Sequence, residues 1–443
     1  MGRDRLALGT TGLSGSTRMT TRVFVTGLGP LCSEGDSAGE LWANLVAGRS
    51  FLGRVARLAK AAVSIGGEVA GLEGRAVLGP RQRRVDRSAQ LALVAAQAAL
   101  ADADLSGAGT ALAAPSERCG VVLGTSRGAA AQLEEAFERF RARGRRGVGP
   151  QVSPYTTTGS LSAIVARELG LRGPNLTVSA ACSSATQAVG VAFETVRRGR
   201  ADVMLAGGAE ACLTPFCVAM LDAAGILSHR VAEPGRASRP FDRDRDGIVL
   251  AEGAGVIVIE SEAHACARGA GAYAELAGFG ASCDALSLTG IPADGEGLVR
   301  AARSALEDAG LTAEAVDYVN AHGTATRVGD RAETAALKGI FGERVRRVAV
   351  SSTKSMTGHL LGAAGGIEAA VCALVLANGV APPTINLESP DPECDLDYLP
   401  GCAREIAARV VLSTSMGFGG NNACLVLRRA DGAEVGWRPA LRG

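Results

Sequence analysis

The chain has 443 residues, of which 47% are hydrophobic and 4% are aromatic, and its formal net charge is +1. A balanced charge gives no basic field that would draw nucleic acid, and the shortage of aromatic rings argues against a base-stacking surface. No apolar run reaches the roughly 18 to 20 residues that a membrane span requires. We therefore expect a soluble protein that binds neither nucleic acid nor a membrane.

The 11 cysteines are scattered singly, with no CxxC pair and no spacing of Cys and His that suits a metal ion. Such a set, without a signal peptide, is typical of a reducing compartment, so we expect a cytoplasmic protein that holds no metal. Residues 1–20 are rich in Gly, Ser and Thr and lack periodicity, which predicts a disordered leader. Translation can begin at Met1 or at Met19.

Short apolar runs alternate with helical patterns along the chain, which predicts an α/β protein with a parallel or mixed sheet. Strands are predicted over 23–27 and 119–123, and helices over 40–47 and 89–102. A charged helix that faces solvent is predicted between residues 132 and 146.

Two parts of the chain repeat one order of elements. ALADADL (99–105) resembles ALEDAGL (305–311), and a strand ending in Gly-Thr follows each, at 121–125 and 318–324. LTVSAACSSATQAVG (176–190) is matched by VAVSSTKSMTGHLLGAAGG (348–366), and a strand at 202–208 by one at 409–415. This indicates an internal duplication, in which equivalent strand ends face each other and gather the functional groups.

The stretch 175–190 reads as a short strand, a turn of small residues and a helix whose first turn carries Cys182. There the helix dipole and unpaired amides would stabilise a thiolate and lower the pKa of the thiol. A buried structural cysteine is the alternative. The small neighbours leave room for another molecule to approach the sulfur, which favours a nucleophile.

Two of the four histidines fall at equivalent strand ends in the second half. His322 lies in NAHGTAT and His359 in STKSMTGHLLGAAGG, whereas His229 and His264 lie in polar contexts and are expected at the surface. A thiolate can accept an acyl group as a thioester, and two neutral imidazoles can stabilise an enolate. The GFGGNN turn (417–422) can bring backbone amides to an oxyanion, or can be a plain hairpin.

The motifs CSS after a strand, NAHGTAT followed by GD and ET, KSMTGHLLGAAGG and GFGGNN occur in this order. Together they resemble the elongating β-ketoacyl-acyl-carrier-protein synthases, condensing enzymes of type II fatty-acid and polyketide synthesis, over residues 22–429. The resemblance implies a thiolase-like α/β/α/β/α fold of five layers, built from two duplicated halves. It also implies an acyltransferase without a cofactor of its own, whose substrates are attached to the phosphopantetheine of acyl carrier protein.

The resemblance implies a reaction and its residues. Cys182 takes the growing acyl chain, and decarboxylative Claisen condensation with malonyl-carrier protein then lengthens it. His322 and His359 support decarboxylation and hold the thioester oxygen. Lys354 and Glu368 belong to the same catalytic set, in which Lys354 orients and tunes the histidines.

Further roles follow from the same resemblance. The backbone amides of Cys182 and Phe418 form the oxyanion hole, and Phe418 gates the acyl pocket. The other assigned residues bind substrate and pantetheine (Thr324, Thr326, Gly419, Met416), brace the active-site loops (Asp330, Glu333) or dock the acidic carrier protein (Arg83, Arg84).

Departures from the family pattern leave the acyl chain and the partner open. Ile248 and Met416 each stand where the resemblance leads us to expect phenylalanine, and residues 153–165 are rich in Ser and Thr. These changes favour a specialised polyketide or polyene pathway over primary fatty-acid synthesis. The resemblance further implies a homodimer, or a heterodimer with a chain-length-factor homologue.

Other classes fit less well. A thiolase acting on acyl-CoA needs a second cysteine in the C-terminal glycine turn, and the first one here, Cys424, lies beyond it. A chain-initiating synthase has Asn where this chain has His359. A non-catalytic chain-length factor lacks the nucleophile, although a catalytic subunit can still depend on such a partner. A papain-like hydrolase would leave the duplication unexplained.

The predicted organisation has four parts. Residues 1–20 form the leader, 21–270 the half with the nucleophile, 271–430 the half with both histidines, and 431–443 a tail.

Overall fold

The computed structural model describes residues 21–75, 78–105, 114–431 and 435–438. The leader predicted over 1–20 and most of the predicted tail lie outside the described residues. The strands are β1 Val23–Leu31, β2 Gly53–Arg54, β3 Ile65–Gly66, β4 Cys119–Gly124, β5 Asn175–Val178, β6 Val203–Glu210, β7 Gly253–Ser261, β8 Gly271–Ala272, β9 Ala274–Cys283, β10 Tyr318–Asn320, β11 Ala349–Ser351, β12 Val380–Ala381, β13 Arg404–Glu405, β14 Val410–Gly417, β15 Asn421–Arg428 and β16 Gly436–Trp437. The α-helices are α1 Ala38–Val46, α2 Arg87–Asp102, α3 Ala130–Arg143, α4 Val152–Thr156, α5 Ser160–Leu169, α6 Ser184–Arg197, α7 Pro215–Ala223, α8 Glu262–Ala267, α9 Glu296–Asp308, α10 Arg327–Phe341, α11 Lys354–Thr357 and α12 Ala364–Asn378.

Ten strands form one mixed sheet in the order β11-β10-β14-β15-β9-β1-β7-β6-β4-β5. Outward from the centre, one side reads β1, β7, β6, β4, β5 and the other reads β9, β15, β14, β10, β11. We number the five sheet strands of each half by their order in the chain. Both sides then read first, fifth, fourth, second and third strand outward from the centre. The central strands pair antiparallel, with Val23 opposite Leu276. This repetition confirms the predicted duplication.

Helices cover both halves and also separate them. α6 and α12 contact strands of both halves, while α2 and α5 cover the N-terminal strands. α9 packs on the C-terminal strands and α10 packs on α9. The layers run from α2 and α5 through the N-terminal strands to α6 and α12, and then through the C-terminal strands to α9 and α10. This is the predicted order α/β/α/β/α. The limits predicted for the parts, at residues 20, 270 and 430, stay predictions.

Strand β1 runs to Leu31, four residues past its predicted end, because small residues let α2 approach it closely. A Cβ on Gly27 would lie 2.2 Å from the carbonyl oxygen of Ala99, and one on Gly29 would lie 2.0 Å from that of Ala95. Sequence reasoning took the glycines for a loop, whereas they mark a close contact between backbones.

The segment Leu361–Asn378 corrects the prediction about apolar runs. It has 18 residues with a mean hydropathy of 1.6, which is long and apolar enough for a membrane span. In the structure 89% of it is buried, because α12 lies between the two halves. Its uniform hydrophobicity is that of a helix with protein on every side.

Candidate active site

The turn between β5 and α6 holds Cys182. Ala181 has a φ of 51°, which is unusual for a residue with a Cβ. The Ser184 hydroxyl accepts from the Ala180 amide at 2.8 Å and donates to the Ala181 carbonyl at 2.6 Å, which holds this strained turn in place. The nucleophile candidate therefore has a defined position between two rigid elements.

Burial raises the pKa of Cys182 to about 12, although the charge of Lys354 opposes this rise. The predicted lowering of the pKa by the helix is therefore wrong. Helix α6 begins at Ser184, two residues after the cysteine. The amides of Ser183 and Ser184 already donate to the carbonyls of Ala180 and Ala181, so they are not free to stabilise a thiolate.

His322 follows β10 and is fixed through its backbone. Its amide donates to Glu333 Oε1 at 2.7 Å, and the next amide, of Gly323, donates to Glu333 Oε2 at 2.7 Å. The Thr414 hydroxyl donates to Glu333 Oε1 at 2.8 Å. A buried carboxylate with three donors fits the bracing role predicted for Glu333.

Asp330 braces a different segment. It accepts a 2.7 Å hydrogen bond from the Phe241 amide and lies 3.2 Å from Arg245 Nε. Burial raises the pKa of Asp330 to about 7, against the opposing charge of Arg245. Asp330 thereby connects α10 to the N-terminal half.

His359 lies beside His322 although the two come from different turns. The His359 amide donates to the Val249 carbonyl at 2.8 Å, and the Ala251 amide donates to the His359 carbonyl at 3.0 Å. The two imidazole rings stand edge to face with centroids 5.4 Å apart. Two successive turns of the C-terminal half thus bring their histidines into contact.

Lys354 and Glu368 form a buried ion pair behind the histidines. Lys354 Nζ lies 3.5 Å from His322 Nδ1, so an ammonium there places the imidazole proton on Nε2. Burial and the Lys354 charge hold the pKa of His322 and of His359 well below 6.5. Both imidazoles are therefore neutral at physiological pH and available as N–H donors.

A cavity of about 460 Å³ brings the candidate residues together. Cys182 and both histidines line it, as do these predicted substrate contacts: Thr324, Thr326, Met416, Phe418 and Gly419. Gly417 brings their turn close, since a Cβ there would lie 3.1 Å from the Cys182 amide nitrogen. Lys354 and Glu368 are not in the lining, and Lys354 acts on it through its contact with His322 and through its charge, which also reaches Cys182.

The remaining predicted positions have mixed outcomes. Arg83 and Arg84 lie away from the cavity, exposed on a 3₁₀ turn. His229 is exposed as predicted, but His264 is not, because only 8% of its side chain is exposed and its Nδ1 lies 2.5 Å from Glu260. Among the residues the structure describes, no cluster of His, Cys, Asp and Glu suits a metal ion.

Sequence reasoning missed Glu210, at the end of β6. This fully buried carboxylate accepts from the amides of Ser126 at 2.6 Å, Arg127 at 3.1 Å and Gly362 at 3.1 Å. It thus connects a loop of the N-terminal half to the turn that precedes α12. Its only signal in the sequence is an acidic residue that ends an otherwise uncharged apolar strand.

A duplicated α/β fold that encloses a thiol and two neutral imidazoles is typical of condensing enzymes. Family models for the N-terminal and C-terminal domains of beta-ketoacyl synthase match residues 20–265 and 273–388. The chain therefore belongs to the β-ketoacyl synthase family. Its activity is that of an elongating condensing enzyme of fatty-acid or polyketide synthesis.

Relatives of known name agree with this assignment. The chain is 41% identical over 411 residues to 3-oxoacyl-[acyl-carrier-protein] synthase 2 of Synechocystis sp., covering 92% of this chain and 98% of the relative. The synthase of the same name from Staphylococcus aureus is 40% identical over 414 residues, covering 93% and 99%.

Solved structures show the same architecture. A type II polyketide ketosynthase in complex with its acyl-carrier protein and bound to the hexaketide has a TM-score of 0.86 at 34% identity, covering 93% of this chain and 100% of that one. The ishigamide ketosynthase/chain length factor has a TM-score of 0.85 at 35% identity, covering 93% and 99%.

Thiolase and hydrolase chemistry fit the site poorly. Cys424, the cysteine that a thiolase reading would need near the glycine turn, is fully buried within β15 and does not line the cavity. A papain-like hydrolase does not account for the doubled sheet.

Proposed function

We propose that Cys182 carries the growing acyl chain during elongation. The thiol sulfur attacks the thioester carbonyl of an acyl-carrier protein and forms a new C–S bond, while the pantetheine sulfur leaves and takes up the thiol proton. Malonyl-carrier protein then loses CO₂, and its carbanion attacks the carbonyl carbon of the Cys182 thioester. A C–C bond forms, the C–S bond to Cys182 breaks, the sulfur takes up a proton from solvent to restore the thiol, and the product is a β-ketoacyl-carrier protein. The observation that carries this proposal is the single cavity that holds Cys182, His322 and His359.

The histidines stabilise the oxygen of the enolate that decarboxylation creates. Since both imidazoles are neutral and buried, their N–H groups can donate to the malonyl thioester oxygen without reorganisation of solvent. Lys354 holds His322 in the tautomer that donates from Nε2. The amides of Cys182 and Phe418 receive the oxygen of the acyl thioester in the same way.

Substitution of the nucleophile tests this proposal. In Cys182→Gln we expect loss of acyl transfer, because no sulfur remains, with malonyl decarboxylation retained. Mass spectrometry of the protein after incubation with acyl-carrier protein, together with CO₂ release from malonyl-carrier protein, measures both steps. The exposed Cys402→Gln provides a matched control, and acylation that persists in Cys182→Gln would refute the role.

An acyl carrier protein is the proposed donor, and its pantetheine arm passes Thr324 and Thr326, whose hydroxyls lie 3.1 Å apart at the cavity wall. Arg83 and Arg84 supply exposed positive charge for an acidic carrier. In an Arg83→Glu/Arg84→Glu variant the KM for acyl-carrier protein should rise while kcat stays close to that of the parent. An unchanged KM would place the docking surface elsewhere.

The proposed assembly is a dimer, either of this chain or with a chain-length-factor homologue. β5 is an edge strand of the ten-stranded sheet, and Leu176 within it is 49% exposed. An exposed apolar edge of this kind is suited to pairing with a second chain. Sedimentation of the chain alone and with a co-expressed homologue tests this, since a monomer under both conditions contradicts it.

We also place the enzyme in the cytoplasm, in a specialised polyketide pathway. The described cysteines form no disulfide, as is typical of a protein in a reducing compartment. Ile248 and Met416, the positions that depart from the family pattern, both line the cavity and so change the space for the acyl chain. Acylation of Cys182 by a series of carrier-bound chains tests the pathway, and a preference for long saturated chains would contradict it.

A further inference from the structure

One charged side chain in the cavity has no role in the chemistry proposed above. Among the described residues that line the cavity, Arg127 is the only one that carries a full charge at neutral pH. Its guanidinium makes no ion pair or hydrogen bond with any residue that the structure describes. The single bond from this residue is donated by its backbone amide to Glu210 at 3.1 Å, which fixes where the side chain starts.

Arg127 lies on the acyl side of the cavity. It shares the lining with Leu221, Ile226 and Ile248 of the N-terminal half. These three belong to one apolar cluster, against which Cys182 also packs. Ala130, three residues beyond Arg127, packs on the same cluster. The threonines proposed to contact pantetheine come instead from the turn after β10, in the other half.

The charge of Arg127 reaches the reacting sulfur. It is one of the groups that lower the pKa of the Cys182 thiol, against the stronger effect of burial. A chain attached to Cys182 that extends along the apolar cluster therefore passes close to a guanidinium without a protein partner. Arg127 is exposed at the cavity wall, so a saturated chain laid against it would displace part of its water and offer no hydrogen bond in return, which is costly.

We propose that Arg127 is a specificity residue that binds acceptor oxygens on the acyl chain held by Cys182. The inference rests on the proposed function of Cys182. The ligand chemistry is an oxygen remote from the thioester, supplied either by the ketone groups of a poly-oxo chain or by a terminal carboxylate. The planar fork of the guanidinium suits both, and a carboxylate can accept two bonds at once. Saturated chains are disfavoured because they leave the charge unpaired.

Acylation of Cys182 by three thioesters of equal length tests the proposal. Octanoyl, 7-oxooctanoyl and 7-carboxyheptanoyl groups are supplied as pantetheine thioesters without carrier protein, so that docking plays no part. Mass spectrometry follows the acylation rate in the parent, in Arg127→Met and in Arg141→Met, an exposed arginine of α3 that does not line the cavity. Arg127→Lys serves as the variant that keeps the charge but loses the fork.

We expect the parent to prefer at least one oxygen-bearing chain over octanoyl by about tenfold to a hundredfold, the range of a charge-assisted hydrogen bond. In Arg127→Met this ratio should fall close to one because octanoyl gains and the oxygen-bearing chain loses, whereas Arg141→Met should keep the parent ratio. Preference for the oxo chain or for the carboxylate chain identifies the source of the oxygen.

Three outcomes overturn the inference. The ratio can be the same in the parent and in Arg127→Met. All three thioesters can lose rate equally, which would indicate a structural role. Malonyl decarboxylation alone can fall, which would place the extender carboxylate at Arg127. A parent chain that none of the thioesters acylates at Cys182 would instead refute the proposed function.

Discussion

The two turns that carry the chemistry occupy equivalent places in the duplicated halves, yet they hold opposite kinds of group. In the N-terminal half the turn after β5 leads into α6 within a few residues and presents the uncharged thiol of Cys182. In the C-terminal half α11 and a 3₁₀ turn separate β11 from α12, and this longer segment carries Lys354 and His359. One scaffold thus supplies a nucleophile from its short turn, and charge and hydrogen-bond donors from its extended one.

The difference shows how the halves divide the work. Burial disfavours the thiolate of Cys182 and raises the pKa of the thiol to about 12. Acylation therefore depends on removal of the thiol proton within the site. Burial lowers the pKa of His322 and His359, which keeps both imidazoles neutral and able to donate hydrogen bonds. Three tests of this division follow, from the largest expected effect to the smallest.

The largest effect should come from the histidines. In His322→Ala or His359→Ala we expect Cys182 to remain acylatable, while condensation slows by about 10² to 10⁴ fold, the range for loss of one positioned donor or proton-transfer group. Single-turnover acylation and steady-state β-ketoacyl formation separate the two steps. His229→Ala, at an exposed histidine, should match the parent. Loss of acylation in either variant would contradict the assignment of acylation to the N-terminal half and of condensation to the histidines of the C-terminal half.

The pH dependence of thiol alkylation sharpens the comparison. A thiol with a pKa of about 12 gains thiolate about tenfold per pH unit between pH 7 and 10, so the rate at Cys182 should rise without a plateau. Iodoacetamide labelling, resolved by peptide mass spectrometry from the exposed Cys283 and Cys402, measures this rate. A plateau below pH 9 would restore the sequence-based expectation that the turn lowers the pKa.

The smallest effect concerns the buried ion pair of the C-terminal half. Lys354→Met leaves the Glu368 carboxylate buried without its partner, and we expect a loss of about 3 to 5 kcal/mol in the free energy of unfolding. The double variant Lys354→Met/Glu368→Leu should recover most of this loss. Lys338→Met breaks a pair with Asp395 that is about half exposed, and should cost at most about 1 kcal/mol. Urea unfolding measures all three, and equal losses in the two single variants would contradict the role of burial.

The sequence predicted the fold and the meeting of the two halves because repetition of element order survives in the residues. The motifs around Cys182, His322 and His359 supplied the candidate site in the same way. Sequence reasoning failed where the outcome depends on what surrounds a group. The burial that raises the pKa of Cys182, the pairing of His264 with Glu260 and the four donors around Glu210 all arise from contacts distant in the chain.

The same limit explains why sequence reasoning overlooked Arg127 and the apolar run of α12. Arg127 is exposed, as an arginine is expected to be, and only the folded structure shows that it also lines the cavity beside Cys182. The apolar run of α12 escaped notice, and its protein environment on every side becomes visible only in the folded sheet.

The helix layer formed by α6 and α12 has a consequence for how such a protein can change. Because these helices pack on strands of both halves, neither half keeps a closed interior when it is removed from the other. Exchange of one half between relatives must therefore match both faces of this layer at once. Variation in substrate preference is easiest at side chains that point into the chamber, where a replacement disturbs no shared packing.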